Sequence, residues 1–130
     1  MKTFIPVSII IISLWMINAC SYRKLPPKEF NEQLKMSHGI LIDVRTPLEY
    51  NSGYISEAVN MNIQSDHFSF QLDSLDKSRS YFIYCGIGKR SAKAALMMEE
   101  KGFKNVFELK GGLAEWKKEN YPVSKKTTPF

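Results

Sequence analysis

The run Tyr81-Phe82-Ile83-Tyr84-Cys85-Gly86-Ile87-Gly88-Lys89-Arg90-Ser91 constrains the fold of this chain more than any other stretch. Four apolar, β-prone residues end in a cysteine, and a glycine-rich loop with two cations follows. The pattern then turns helical through Ala92, Ala95, Leu96 and Met98. A strand, a tight loop and a helix start, in that order, surround one sulfur atom with backbone N–H groups and the positive end of a helix dipole. Gly86 and Gly88 accept backbone angles closed to other residues, so the loop can turn its amides inward as an anion-binding nest. A thiol placed there, with Lys89 and Arg90 beside it in sequence, is expected to ionise more readily than a free cysteine. It would then act as a nucleophile toward an anionic substrate. The competing reading of Cys85 is a core residue that happens to end a strand.

The flanking segments supply a sheet for that loop. Pro27 is suited to a first helical position, and Phe30 and Leu34 sit four apart, which predicts a helix over 27–35 broken by Ser37-His38-Gly39. Gly39 to Val44 is an apolar run interrupted only by Asp43, the signature of a strand covered on both faces. Thr46-Pro47-Leu48-Glu49 is a capping box with proline at the first helical position, and Gly53 can end that helix. A strand over 59–63 and a helix over 66–75 follow, the latter marked by Phe68, Leu72 and Leu75. After the strand 81–84 come a helix over 91–101 stopped by Gly102, a strand over 106–109, the turn Gly111-Gly112 and a helix over 113–118. Residues 125–130 read as a frayed tail. Strands alternating with helices imply an α/β fold with a mostly parallel central sheet and helices on both faces. Ligands of such sheets bind beyond the carboxyl ends of the strands, where Cys85 falls.

The beginning of the chain belongs to a different environment. Lys2 precedes an apolar run from Phe4 to Ile17, closed by Ile17-Asn18-Ala19-Cys20. A short apolar region ending at a small residue predicts an export signal over 1–19; an uncleaved membrane anchor is the alternative. The segment resembles the lipobox of bacterial lipoproteins, which implies a lipid on Cys20, a spacer over 20–26 and a folded domain over 27–124. The protein is then expected on the periplasmic side, held to a membrane through its N-terminal lipid. Of the two cysteines, only Cys85 is left as a thiol, and no internal disulfide can form. A lone thiol in an oxidising compartment needs a reason, and the loop chemistry supplies reactivity. The net charge of +5 is spread without a basic stripe interleaved with aromatics, which argues against a nucleic-acid partner. His38 and His67 lack neighbours at ligand spacing, so no metal site is expected.

Taken together, the motifs resemble those of the single-domain rhodaneses, the thiosulfate sulfurtransferase-like family, over roughly Leu25 to Val123. The marks are Leu41-Ile42-Asp43-Val44-Arg45, Glu49-Tyr50 with Gly53-Tyr54-Ile55, and Ala58-Val59-Asn60. Cys85-x-x-Gly88-x-Arg90-Ser91 and Gly111-Gly112 with Trp116 complete them. Tyr54 stands where the family often has histidine, and Ser56-Glu57-Ala58 replaces its usual Pro-Gly-Ala. The resemblance implies transfer of sulfane sulfur from a small anionic donor to a thiol or cyanide acceptor through a persulfide on Cys85, with no metal or organic cofactor. Gly86, Ile87, Gly88, Lys89, Arg90 and Ser91 form the anion-binding loop. Arg90 is read as an anion ligand because a guanidinium fork suits oxyanions, and Ser91 as the cap of the following helix. Asp43 and Arg45 are implied to be a structural ion pair near the loop. Trp116, Met97 and Met98 are read as packing residues. A Cys-x5-Arg phosphatase is disfavoured because arginine here follows after four residues. The remaining rival is a non-turnover carrier or sensor of sulfane sulfur, or a module that docks an unidentified protein partner.

Overall fold

The computed structural model describes residues 22–127; the expected export segment and Cys20 lie outside the described residues. Five strands, β1 (Arg23–Leu25), β2 (Ile40–Asp43), β3 (Val59–Asn60), β4 (Ser80–Tyr84) and β5 (Asn105–Leu109), form one sheet in the order β1-β5-β4-β2-β3. Every strand pairing is parallel. Parallel neighbours need crossovers, made by α1 (Pro27–Ser37), α2 (Pro47–Ser52), α3 (Phe68–Asp73) and α4 (Lys89–Glu100), and α5 (Gly112–Lys118) follows β5.

The central strand β4 shows why two helical layers are needed. Side chains alternate across a strand, so Tyr81, Ile83 and then Cys85 join Phe68 and Leu72 of α3 and Ala94, Ala95 and Met98 of α4. Phe82 and Tyr84 join Phe30 of α1 and Leu113 and Trp116 of α5 on the opposite face. The fold is α/β with helices on both faces. Trp116 and Met98 are core residues, and Met97 is partly buried against the same cluster.

Several expected boundaries shift. The spacer expected over 20–26 contains β1, whose Arg23, Lys24 and Leu25 pair with Phe107, Glu108 and Leu109 of β5. Two exposed residues and one half-buried one carry no periodicity, and only a distant partner makes them a strand. The strand expected over 59–63 shortens to Val59–Asn60, yet Met61 and Ile63 still donate their N–H groups to the carbonyls of Asp43 and Val44. Leu96, expected on the apolar face of α4, is exposed, and Ala94 takes the inward place. In the turn that departs from the usual family pattern, Glu57 adopts a left-handed φ of 70° where that pattern has glycine.

Phe82 ties the sheet to the α1 side. It is wholly buried, meets the Phe30 ring edge-on at 5.3 Å and stacks on Phe107 at 4.6 Å. Phe82→Ala is expected to cost about 3–5 kcal/mol by urea denaturation, the range for truncating a buried aromatic. A loss below about 1 kcal/mol would show that the α1 face collapses around the void and that this ring does not set the layer spacing.

Candidate active site

Cys85 leaves the carboxyl end of β4 on the α4 side of the sheet, and only 1% of its surface is exposed. Gly88 turns the chain with φ 102° and serves as the N-cap of α4 without help from a side chain. That turn brings the Gly88 N–H to 3.1 Å from the Cys85 sulfur, as donor. The helix therefore starts at Lys89, two residues before the expected Ser91, and Ser91 is not its cap. The backbone of a left-handed glycine has taken the capping position. Ser91 instead lies in the first turn, buried, with Oγ 3.3 Å from Cys85 Sγ and 2.9 Å from Glu108 Oε1, to which it donates.

The loop is seated from below by α5. The Leu113 N–H donates to the Cys85 carbonyl at 2.8 Å, and the Ala114 N–H donates to the Gly86 carbonyl at 3.0 Å. Gly111 and Gly112 precede these donors with φ of 76° and 63°. A Cβ on Gly112 would lie 2.6 Å from the Cys85 carbonyl oxygen and 2.7 Å from the Gly86 carbonyl. The sequence marked this pair as a turn; its closeness to the cysteine loop depends on the sheet bringing two distant segments together.

The cations of the loop have separate fates. Lys89 and Ile87 face solvent. Arg90, expected to bind an anionic substrate, is instead clamped to Glu49 through two hydrogen bonds of 2.6 and 2.8 Å. Glu49 also closes the capping box of α2: it accepts from the Thr46 N–H at 3.4 Å and hydroxyl at 3.0 Å, while Thr46 Oγ1 accepts the Glu49 N–H at 3.3 Å. The Arg90 guanidinium, above all, holds the Glu49 carboxyl at about 2. The Arg90 charge remains within electrostatic reach of Cys85 but already has a counter-ion.

Asp43 and Arg45 pair at 2.7 Å at the carboxyl end of β2, next to Tyr84 in register. Arg45 also donates to the Gly53 carbonyl at 2.6 Å, which joins β2 to the segment after α2. The Asn60 side-chain amide donates to the carbonyls of both residues. Burial, and then the Asp43 charge, push the Tyr84 phenol up, so its oxygen stays neutral and accepts the Ile55 N–H at 2.9 Å. This network braces the floor beside the loop.

Glu108 was not singled out by sequence reasoning. Its signal was an acid on the same alternating face of β5 as the buried Val106. His38 and His67 stand at the C-cap of α1 and the N-cap of α3, and among the described residues no three metal-ligating side chains gather. A cavity of about 920 Å³ opens between α1 and the amino ends of β2 and β3, and no residue of the cysteine loop lines it.

The chain matches the family described as "Rhodanese-like domain" over residues 26–119. It is 35% identical over 95 residues to a tRNA uridine(34) hydroxylase of Pelagibacter ubique, a match covering 72% of this chain and 32% of that protein. The chain thus spans about a third of the length of such hydroxylases. A sulfurtransferase of Allochromatium vinosum is 30% identical over 84 residues, covering 65% of this chain and 77% of that protein. Among solved structures, a rhodanese-related protein of Thermoplasma volcanium superposes with a TM-score of 0.71 at 28% identity, covering 81% of this chain and all of the other. The polysulfide-sulfur transferase homodimer of Wolinella succinogenes gives 0.68 at 26% identity, covering 82% and 80%.

Two outcomes test this geometry. Gly112→Ala is expected to push the loop off its seat, lowering stability by about 1–3 kcal/mol, the usual cost of overpacking. Cys85 should then become open to alkylation; unchanged stability and alkylation rate would show that the close seat is not required. Arg90→Met is expected to raise the Glu49 carboxyl from about 2 toward its ordinary 4.5, with the Thr46 hydrogen bonds still holding it down in part, read by carboxyl-carbon NMR. The sign follows from a depressed folded-state value: the clamp stabilises fully above the ordinary carboxylate pKa and is lost as the pH falls toward 2. A Glu49 that titrates at its ordinary value in the unaltered protein would contradict the clamp.

Proposed function

The chain belongs to the rhodanese-like domain family, and on that premise we propose that it is a sulfurtransferase carrying sulfane sulfur on Cys85. One observation carries the reading: a buried thiol at the carboxyl end of the central strand, 3.1 Å from the Gly88 N–H and facing the first turn of α4. The Cys85 thiolate attacks the outer sulfur of a thiosulfate-like or persulfide donor. A new S–S bond forms, the donor's S–S bond breaks, and the leaving group departs with that electron pair. The product, Cys85–S–S⁻, keeps its negative charge beside the Gly88 N–H and the amino end of α4. A cyanide or thiol acceptor then attacks the outer sulfur and releases the thiolate, a ping-pong cycle that draws on no metal or organic cofactor. Because Glu49 occupies Arg90, the pull on an anionic donor falls to Lys89 and the helix amides.

The tRNA hydroxylation for which several relatives are named does not carry over to a chain that spans only about a third of their length. The burial of Cys85 and the engaged Arg90 favour a second reading, a carrier that loads once and discharges only to a docked protein. We also place the protein on the periplasmic side, tethered by a lipid on Cys20, on the strength of the lipobox-like segment.

Intact-mass and peptide analysis of the full chain isolated from membranes tests these points at separate residues. After incubation with thiosulfate or polysulfide, one added sulfur is expected on the Cys85 peptide. Cyanide should remove it, and Cys85→Ala should abolish loading and thiocyanate formation. Loading without discharge to small acceptors would favour the carrier; failure to gain sulfur from any donor would overturn both readings. An unmodified Cys20 would overturn the tether alone.

A further inference from the structure

Glu108 is a wholly buried acid that the sulfur-transfer cycle has not yet used. Its Oε1 accepts the Ser91 hydroxyl at 2.9 Å, and Ser91 Oγ lies 3.3 Å from the Cys85 sulfur, a contact in which either partner can donate. A Cβ on Gly88 would fall 3.8 Å from the same Oε1, so the cysteine loop rests over the carboxyl. Among the described residues Glu108 Oε2 has no hydrogen-bond partner. Lys24 of β1 approaches it to 3.7 Å, too far for a hydrogen bond, and nearly half of the Lys24 side chain is exposed.

The hydrogens along this chain can be counted. Ser91 owns one O–H and stands between two groups that can both be anions. With Cys85 as a thiol and Glu108 as a carboxylate, S–H donates to Ser91 and Ser91 donates to Glu108. Once the sulfur is an anion, as thiolate or persulfide, Ser91 can serve it only by turning its hydrogen away from Glu108. An ionised Glu108 would then keep only the half-exposed Lys24, 3.7 Å away, as a partner in a buried site beside a second negative charge.

We propose that Glu108 is a positioning residue that works in its protonated form, donating to Ser91 Oγ so that the Ser91 hydroxyl is delivered to the sulfur anion on Cys85. The change of state moves one proton and oxidises nothing. The S–H bond of Cys85 breaks and leaves its electron pair on sulfur. Ser91 Oγ takes that proton and passes its own to Glu108 Oε1, so the site keeps one negative charge, now on sulfur.

The surroundings favour the neutral acid. Burial pushes the Glu108 carboxyl up, against the opposing pull of the Ser91 hydrogen bond and the Lys24 charge. The groups that face it are Lys24 from β1, Ser91 from α4 and, by way of Ser91, Cys85; the nearby cation of α4, Arg90, is held by Glu49. As the pH rises past the point at which Glu108 ionises, the carboxylate reclaims the Ser91 hydrogen and repels the sulfur anion. Sulfur loading is therefore expected to lose efficiency on the alkaline side.

The inference rests on sulfur transfer at Cys85, but its test separates the two. Glu108→Gln keeps the side-chain shape, stays neutral and offers Ser91 an N–H donor at every pH. Thiolate absorbance of the donor-free protein is expected to rise in two steps with pH for the unaltered chain, whose carboxyl and thiol titrate as a pair, and in one step for Glu108→Gln. Loading with polysulfide should match in mildly acidic buffer. At mildly alkaline pH it should be about tenfold faster in Glu108→Gln, the effect of one pKa unit of coupling. Ser91→Ala, which severs the connection and removes only a hydroxyl, should load about tenfold more slowly at both pH values. An unchanged pH profile in Glu108→Gln would reduce Glu108 to a brace, and slower loading throughout would make it an ionised base; either result overturns the proposal. If Glu108→Gln fails to fold, a Ser91→Ala chain that loads like the unaltered one overturns it instead. If the unaltered chain takes up no sulfur, the sulfur-transfer reading falls, while the thiolate titration still decides whether carboxyl and thiol are coupled.

Discussion

The carbonyls of Cys85 and Gly86 accept hydrogen bonds from Leu113 and Ala114 at the start of α5, and this seat fixes the rest of the site. It places the backbone of Gly112 so close to the loop that no Cβ fits between them. With the carbonyls drawn toward α5, the Gly88 N–H is left to face the sulfur, and α4 can begin immediately after it. A cysteine loop of ordinary composition becomes an oriented site because two glycine-bearing turns, after β4 and after β5, meet at the same end of a parallel sheet. Behind it, the sheet and the α1 face, joined through Phe82 and the surrounding aromatic rings, set the heights at which those turns meet.

Charge around the site is largely compensated. Asp43 holds Arg45, and Glu49 holds Arg90 through two short hydrogen bonds. Both arginines are planar forks well matched to carboxylates, so they act as geometric clamps on the neighbouring segments. An entering anion then meets the exposed Lys89 and the amide end of α4 rather than a cluster of bare cations. Glu108 extends the logic inward: neutral, it leaves the buried negative charge to sulfur; ionised, it competes for it.

Local chemistry made much of the fold readable. The Thr46–Glu49 capping box forms as its spacing predicts, with proline at the first helical position. The apolar runs at 40–43 and 81–84 pair as parallel strands in the middle of the sheet. The errors share a cause. β1 exists only through its pairing with β5, and the partner of Arg90 lies 41 residues away in sequence. Ser91 resembled a cap because serine commonly precedes helices, but Gly88 in a left-handed conformation had already ended the loop. Glu108 stood in plain view as an acid inside an apolar strand. Its meaning depends on Ser91, 17 residues earlier, sharing the same buried face.

On the proposed chemistry, the Gly88 N–H and the first turn of α4 hold a second, negatively charged sulfur on Cys85. NMR of the amide protons from Gly88 to Ser91 during stepwise addition of polysulfide reads this directly. Downfield shifts that saturate with one sulfur per chain, and are absent in Cys85→Ser, are the expected result. A Cys85 that carries added sulfur while those amides stay unmoved would contradict it.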